Sequence, residues 1–294
     1  MICNACPRRC GVEKIGDKAG GFCLSGELPR VARAAAHFGE EPCISGQNGS
    51  GTIFFTGCNL RCVFCQNREI SRGGGKGVSM DARQLSDTML RLQDSGVHNI
   101  NLVTASHFIR PVAEALKLAG LKIPVVWNSS AYESVEELKR LEGLVQIYLP
   151  DYKYAKKEPA KLYSMAEDYP QVAAAAILEM YRQRGPFRLG EDGLLESGLL
   201  IRHLILPGQE MNTMDVIDFV AESFPEDSVL FSLMAQYTPM PGCDDYPELS
   251  ERVSSETNRN MISYMQRRGI SCGYWQETLS ATDEMIPDFD LSGC

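Results

Sequence analysis

Three closely spaced cysteines constrain this chain more than any other feature of its sequence. Cys58, Cys62 and Cys65 lie in the string TGCNLRCVFCQN, so one short loop presents three thiols. A 4Fe-4S cluster takes four ligands, and a loop that offers three leaves one iron free for an exogenous ligand. An open coordination position is where a metal centre carries out chemistry. The spacing therefore predicts a reactive iron–sulfur centre.

Other uses of the three cysteines fit their pattern less well. A zinc site needs a fourth thiolate or imidazole, and its cysteines usually come in pairs with two residues between them. A disulfide is not expected in a chain that lacks a signal peptide. Zinc and an iron–sulfur cluster that only carries electrons remain the alternatives.

Composition indicates one main domain with a short appendage. The 294 residues, 44% of them hydrophobic, are enough for one large α/β core. The start MICNACPRRC is neither a signal peptide nor a transit segment, and no apolar stretch is long enough to span a bilayer. We therefore expect a cytoplasmic protein without a membrane partner. The net charge of −9 argues against nucleic acid as a partner.

The chain divides into a cysteine-rich head and a long body. Residues 1–50 have no sustained period, and we expect them to form a metal-binding N-terminal extension. Residues 51–294 are expected to form the main body with a C-terminal extension. Six apolar runs in the body are typical of buried parallel strands: GTIFFTG (51–57), INLVTA (100–105), PVVWN (124–128), VQIYLP (145–150), LIRHLIL (200–206) and VLFSLM (229–234).

Helical patterns lie between these runs. Apolar residues repeat at helical spacing over 81–95 and after Pro111, and Ser134 with Glu137 has the pattern of a capping box. Further helices are expected near 170–184, 213–224 and 249–268. Alternating strands and helices predict an α/β fold, either a βα barrel or a doubly wound sheet. Both place ligand-binding residues at the carboxyl ends of the strands.

Polar residues recur where the predicted strands end. Those in or after the second to fifth runs are Thr104, Ser106, Asn128, Asp151, Lys153 and His203. Each has an ordinary structural role as well, since His203 in an apolar run is typical of a core histidine and Lys153 of a surface residue. Next to the cysteine loop, however, they predict a ring that holds a zwitterionic, ribose-bearing ligand.

Several strings of this sequence resemble those of the radical S-adenosylmethionine (SAM) superfamily, and within it the branch of the pyruvate formate-lyase activating enzymes. They are CPRRCGV, EPCISGQNGSGTIFFTGCNLRCVFCQN, NLVTASHF, YLPDYKY, RHLILPG and MAQYTPM. The resemblance extends from the head to about residue 241, and it is specific for the superfamily and the branch but not for the substrate. It implies a partial (β/α)6 barrel of the radical SAM type over residues 51–294.

The resemblance also implies roles for residues of the cysteine loop and the second strand. Cys58, Cys62 and Cys65 would bind the 4Fe-4S cluster, whose open iron binds SAM, and the backbone around Phe64 would contact adenine. The Gly-Gly-Glu motif that holds the SAM amino group in the family maps to Thr104–Ser106. This chain lacks that motif.

Four residues on later strands also match positions of the branch. Asn128 falls where the activating enzymes carry an acid, and Asp151 with Lys153 matches an Asp-x-Lys motif. His203 matches a histidine near the SAM carboxylate. A lysine at that point supplies a compact positive charge for a carboxylate.

The resemblance implies a radical reaction. A one-electron donor such as flavodoxin or ferredoxin reduces the cluster, and SAM is cleaved to methionine and a 5′-deoxyadenosyl radical. That radical abstracts a hydrogen from a protein or small-molecule substrate, and a glycyl-radical enzyme is the protein substrate that the branch suggests. No side-chain base is required, so no catalytic side chain is assigned.

The head contains a second set of cysteines. Cys3, Cys6, Cys10 and Cys23 provide four thiols, enough for a zinc site or a second iron–sulfur cluster. The sequence leaves both open, together with the alternatives that Cys43 replaces one of the four or that no metal binds.

An iron–sulfur electron carrier or metal-delivery protein without SAM cleavage is the alternative function. The polar residues at successive strand ends favour the enzyme, because a carrier needs no cradle for SAM.

Overall fold

The computed structural model describes residues 2–73, 76–243, 245–276 and 287–294. The strands are β1 (Arg30–His37), β2 (Ser50–Phe55), β3 (Val78–Ser79), β4 (Ile100–Val103), β5 (Val125–Ser129), β6 (Ile147–Pro150), β7 (Arg188–Leu189), β8 (Leu195–Leu204), β9 (Leu230–Met234) and β10 (Gly273–Trp275). The helices are α1 (Pro42–Ser45), α2 (Arg68–Ser71), α3 (Ala82–Asp94), α4 (Ile109–Ala119), α5 (Val135–Leu138), α6 (Lys157–Ser164), α7 (Tyr169–Arg184), α8 (Glu210–Ser223) and α9 (Ser255–Arg267).

Parallel strands form the centre of the sheet in the order in which they occur in the chain. They are β2, β4, β5, β6, β8, β9 and β10. A doubly wound sheet reverses its strand order at a switch point, and among the described strands this parallel series has no reversal. The α/β fold is therefore that of a partial barrel, and the six runs predicted as strands are confirmed.

The sheet begins within the head. β1 pairs with β2 in antiparallel fashion, with Ala34 opposite Ile53, and β3 pairs with β1. Eight residues on the N-terminal side of the expected boundary at residue 50 thus belong to the sheet. The body supplies the order that residues 30–37 could not obtain from their own periodicity.

The C-terminal residues 287–294 lie along β1. The backbone N–H of Ala34 donates to the carbonyl of Ser292 (2.8 Å), and that of Leu291 donates to the carbonyl of Ala32 (3.2 Å). The Phe289 ring packs edge-on against Phe54, with 5.4 Å between their centroids. The end of the chain therefore returns to the first strand.

Side chains alternate between the two faces of the strands. Leu102, Trp127 and Tyr148 point to the outer face, where the helices pack in the main core. Val126 and Leu149 point to the inner face, where they meet residues of α1. The inner face is thus filled at the level of α1 and carries polar side chains nearer the carboxyl ends of its strands.

The helices follow the predicted pattern with two differences. α3 begins with a capping box between Asp81 and Gln84, whereas the box predicted for Ser134 and Glu137 was wrong. Ser134 makes no side-chain cap, because the Glu137 carboxylate is bound by Arg110 (2.7 Å) and by Arg140 instead. The short helices α1, α2 and α6 were not predicted. None of the helices in the described ranges combines the length and the apolar character that crossing a membrane requires.

Candidate functional site

The cysteine loop follows β2 at its carboxyl end. The backbone N–H of Gly57 donates to the carbonyl of Ile70 (2.8 Å), and that of Val63 donates to the carbonyl of Tyr163 (2.9 Å), so both ends of the loop are fixed. Gly57 has a φ of 78°, and a Cβ at this position would collide with Ser25 of the head. Only glycine suits so close an approach with a positive φ.

Hydrogen-bond donors surround the sulfurs of this loop. The Cys58 Sγ accepts from the backbone N–H groups of Leu60 (3.3 Å) and Arg61 (3.5 Å). The Ser164 hydroxyl donates to Cys62 Sγ (3.0 Å), and a second serine hydroxyl, that of Ser71, donates to Cys65 Sγ (3.4 Å). Such donors favour thiolates, which are the form that binds metal.

The three thiols lie close to one another. Burial raises the pKa of Cys58 to about 12, and the charges of Cys65 and Cys62 raise it as well. Burial also raises the pKa of Cys62, although the charge of Lys153 lowers it. Three thiolates together therefore require a positive centre between them, such as a metal cluster.

Other groups around the loop fit an anionic cluster. Among the residues that the structure describes, Arg61 Nε and Arg72 Nε are buried without a hydrogen-bond partner, and Arg72 Nη2 donates to the carbonyl of Cys62 (3.2 Å). In the part of the chain that the structure describes, no three His, Cys, Asp or Glu side chains are grouped to hold a single metal ion. A 4Fe-4S cluster needs no such group, because each cysteine binds a different iron. The loop fits the cluster.

A charged network lies on the inner face beyond this loop. Arg202 Nε donates to Asp151 Oδ1 (2.8 Å), Nη1 to Glu40 Oε2 (2.7 Å) and Nη2 to Asn128 Oδ1 (2.7 Å). The Asn128 amide donates in turn to Glu40 Oε1 (2.9 Å), as does the amide of Asn101 (3.0 Å). The guanidinium therefore joins β5, β6 and β8 to the segment that precedes α1.

Lys153 connects this network with the cysteine loop. Its Nζ lies 2.8 Å from Asp151 Oδ2. Burial lowers the pKa of Lys153, but the charges of Asp151 and Cys62 outweigh it and the pKa is raised. The pKa of Asp151 is lowered despite its burial, because Arg202 and Lys153 stabilise its carboxylate. Lys153 stays charged next to Cys62.

The structure brings three of the predicted ligand residues together, namely Asn128, Asp151 and Lys153. It does not bring His203 to them. His203 Nδ1 is hydrogen-bonded to the carbonyl of Tyr152 (2.7 Å) and Nε2 to the hydroxyl of Thr213 (3.0 Å), on the outer face next to α8. Burial lowers its pKa to about 4, so it is a neutral core histidine.

Ser106 also lies away from the network. Its hydroxyl donates to the buried carboxyl of Glu133, which also accepts from Trp127 Nε1 (2.8 Å). Burial raises the pKa of Glu133 to about 7, although the hydrogen bonds from Ser106 and Trp127 lower it. Through this bond to Glu133, Ser106 holds the backbone after β4, and its hydroxyl does not face the inner side of the sheet.

Thr104 has a φ of 62°, a left-handed conformation that favours glycine and is costly for a β-branched residue. Its backbone N–H donates to the carbonyl of Asn128 (2.9 Å). The backbone here keeps a conformation suited to glycine, although the sequence lacks the family's glycines. Phe64 is buried, and its ring packs edge-on against Tyr154, Tyr163 and Tyr237, each with 6.4 Å between the ring centroids.

Glu40 and Glu133 were not identified from the sequence. Glu40 lies in the head, and the signal for it was indirect: Arg202 in the apolar run LIRHLIL needs a buried anion. Glu133 follows β5 in a stretch without a recognisable pattern. Trp127 and Ser106 are buried donors that need an acceptor, and the Glu133 carboxyl provides it. This need is not evident before the burial of the two donors is known.

The head cysteines form a separate group. The pKa of Cys6 is raised to about 11, first by burial and then by the charges of Cys23, Cys3 and Cys10. Cys43 does not belong to this group. It packs with residues of the inner face, and its thiol interacts with Tyr274, which leaves Cys3, Cys6, Cys10 and Cys23 as the candidates for a site in the head.

Comparisons with known proteins agree with this geometry. Residues 52–156 match the model of the Radical SAM superfamily. The chain is 26% identical over 281 residues to the uncharacterized protein MJ0674 of Methanocaldococcus jannaschii, covering 92% of this chain and 76% of that protein.

Two crystal structures of SuiB from Streptococcus suis are also similar, each with 13% sequence identity. SuiB gives a TM-score of 0.52 over 77% of this chain, and SuiB bound to its precursor peptide SuiA gives 0.49 over 78%. The chain spans about half of SuiB, 49% of its length in both structures. The first of these similarities is one of fold. The match to the Radical SAM superfamily covers residues 52–156, which contain the cysteine loop, Asn128, Asp151 and Lys153.

Proposed function

We propose that this protein is a radical SAM enzyme in which Cys58, Cys62 and Cys65 hold a 4Fe-4S cluster and the adjacent inner face binds SAM. One observation carries the proposal. The three-cysteine loop, whose sulfurs accept hydrogen bonds from backbone and serine donors, lies in a domain that matches the Radical SAM superfamily.

The chain's own residues would bind and orient the ligand. When bound, the reduced cluster supplies the electron that cleaves SAM to methionine and a 5′-deoxyadenosyl radical, which abstracts a hydrogen from the substrate. Lys153 offers a positive charge for a ligand carboxylate. Asn128 and Asp151 are held by Arg202, so they keep their positions without a ligand. The backbone around Phe64 is proposed to contact adenine.

The residues proposed to contact SAM fall into two groups. Asn128, Asp151 and Lys153 form one network next to the cysteine loop. Thr104 would act through the backbone conformation after β4, and Ser106 and His203 would act by holding that backbone and β8 in place. Their side chains already bind protein groups.

The substrate is proposed to be a protein or a small molecule, and a glycyl-radical enzyme is the protein candidate. Its support is the resemblance to the activating-enzyme branch in the strings YLPDYKY and RHLILPG. Flavodoxin or ferredoxin would serve as the one-electron donor. This part of the proposal fails if the protein consumes SAM yet leaves no glycyl radical, by electron paramagnetic resonance, on any co-expressed candidate partner.

Production of 5′-deoxyadenosine from SAM tests the central proposal. The protein is reconstituted with iron and sulfide under anaerobic conditions and reduced chemically. We expect 5′-deoxyadenosine from the wild type and from Cys272→Ala, whose thiol donates to Asp227 (3.0 Å) just before β10, and at least a hundredfold less from Cys62→Ala. Equal, low yields from all three with the cluster present would favour the electron carrier instead.

A further inference from the structure

Residues 2–28 lack an ordinary hydrophobic core. Within residues 2–28, the buried side chains are those of Cys6, Lys14, Cys23 and Ser25. Large apolar residues of this segment point outward instead, with Ile2 69% and Ile15 59% exposed. A segment of this size cannot be ordered by apolar burial alone and usually needs a metal or disulfides. Its cysteines occupy the positions that a core would take.

Backbone hydrogen bonds gather the head cysteines into two facing turns. The Arg9 N–H donates to the carbonyl of Cys6 (3.1 Å), and the Cys3 N–H donates to the carbonyl of Val12 (2.9 Å), which closes the first turn. The Phe22 N–H of the second turn donates to Cys10 Sγ (3.4 Å). A backbone donor aimed at a cysteine sulfur across two turns is a feature of metal–thiolate sites.

The four thiols are neighbours. The Gly11 N–H, next to Cys10, donates to the carbonyl of Cys3 (3.1 Å), and the Phe22 N–H, next to Cys23, donates to Cys10 Sγ (3.4 Å). A cation is buried among them, because Lys14 Nζ lies 3.7 Å from Cys23 Sγ. Buried cations offset the negative charge that four thiolates leave on a metal centre.

We propose that Cys3, Cys6, Cys10 and Cys23 bind a second iron–sulfur cluster. Four cysteines complete the coordination of a 4Fe-4S cluster, so no iron is left open for an exogenous ligand. Zinc would gather the sulfurs around one ion, with Zn–S distances of about 2.3 Å. Zinc would bring no sulfide, so the iron and sulfide content of the protein distinguishes the two.

The head cluster would lie next to the first cysteine loop. Arg8, between Cys6 and Cys10, donates from Nε to the carbonyl of Asn59 (2.8 Å) and from Nη2 to the carbonyl of Ser164 (2.9 Å). Asn59 follows Cys58 directly. The same turn therefore belongs to one proposed cluster and contacts the loop of the other.

Metal analysis of the full chain tests this proposal without any SAM chemistry. The triple variant Cys58→Ala/Cys62→Ala/Cys65→Ala is reconstituted anaerobically with iron and sulfide, and zinc is measured in parallel as purified. We expect about four iron and four sulfide per chain in this variant, against about eight of each in the wild type. The triple variant should also keep the broad visible absorption of an iron–sulfur cluster.

Two further variants distinguish loss of ligands from loss of folding. Adding both Cys6→Ala and Cys10→Ala to the triple variant leaves only two of the four head ligands and should lower iron to below about one per chain, whereas adding Cys272→Ala should leave about four. Circular dichroism shows that the barrel is intact in both. Iron that is absent from the triple variant, or a stoichiometric zinc ion in place of iron and sulfide, would overturn the proposal.

Discussion

The two groups of cysteines are held in opposite ways. Cys58 and Cys62 lie in a loop that packs against the large core of the barrel, and their hydrogen-bond donors come from that core's own elements. In the head, Cys6 and Cys23 are themselves the buried centre, and the apolar residues around them are exposed. The barrel fixes its cysteines, whereas the head has a few polar contacts with the cysteine loop and otherwise its own cysteines to fix it.

This difference teaches what a metal contributes in each place. In the loop, a cluster adds chemistry to a shape that the fold already provides. In the head, binding free energy would be folding free energy, since little else orders the segment. An iron–sulfur cluster would therefore be a reactive centre in the loop and a structural cross-link in the head.

Removing all metal should have the largest effect, and it should affect the head far more than the barrel. We expect amide hydrogen exchange of residues 2–28 to become at least about tenfold faster in the iron-free protein, while β4, β5 and β6 keep their protection. Hydrogen exchange with mass spectrometry measures both regions in one sample. Equal protection of the head with and without metal would show that the head is ordered by its contacts alone.

Loss of Arg202 should have the largest effect within the barrel. Arg202→Met leaves the buried Glu40 carboxylate without its cation and Asp151 with Lys153 alone, so we expect the free energy of unfolding to fall by about 3–5 kcal/mol. Urea denaturation measures it. Adding Glu40→Gln to Arg202→Met should restore part of the loss. The control Lys161→Met breaks an exposed pair with Glu167 and should cost at most about 1 kcal/mol.

The buried carboxyl of Glu133 should make the barrel pH-sensitive. Its pKa rises from 4.5 when unfolded to about 7 when folded, so the folded state favours the protonated form. The stability it contributes is complete below pH 4.5 and is lost as the pH rises through 7, by about 3 kcal/mol in all. Urea denaturation at several pH values should show this loss in the wild type and not in Glu133→Gln. Parallel curves for the two would contradict it.

Arg8 should matter at the boundary between the two regions. Arg8→Ala removes hydrogen bonds to the carbonyls of Asn59 and Ser164 and the contact of the guanidinium with the Phe22 ring, 3.8 Å from its centroid. Because Arg8 is half-exposed, we expect the head to lose about 1–2 kcal/mol of protection by hydrogen exchange. Arg9→Ala, an exposed neighbour, is the matched control. An equal loss of protection in Arg8→Ala and Arg9→Ala would mean that the effect comes from changing the turn and not from losing the contacts of the Arg8 side chain.

Thr104 should give the smallest effect and one of opposite sign. Thr104→Gly relieves a left-handed conformation, so we expect the protein to gain up to about 1 kcal/mol of stability in urea denaturation. Thr88→Gly, inside α3, should instead lose about 1 kcal/mol. A loss at Thr104 would mean that its side chain makes contacts worth more than the strain.

The sequence was a good guide wherever the signal is local. The cysteine spacing, the apolar runs and the pair Asp151 and Lys153 are read within a few residues, and the structure places that pair within 2.8 Å. Periodicity also gave the order of strands and helices. These features depend on neighbours in the chain, which the sequence states directly.

Features that depend on strand orientation or on distant partners were missed. Arg202 and His203 are adjacent, yet alternation sends the first to the inner face and the second to α8, and only the register of β8 decides which is which. Glu40 meets Arg202 across 162 positions. The left-handed backbone at Thr104 gives no sequence signal, because threonine is not a residue that favours it.

The return of residues 287–294 to β1 has a consequence for association. An edge strand with free N–H and C=O groups is a template for a strand from another molecule. Along β1, the carbonyl of Ala32 and the N–H of Ala34 are already bound by the chain's own end. Residues 287–294 thus occupy the place along β1 that a strand of a second copy would need to extend the sheet. Their pairing with β1 disfavours edge-to-edge aggregation at this strand.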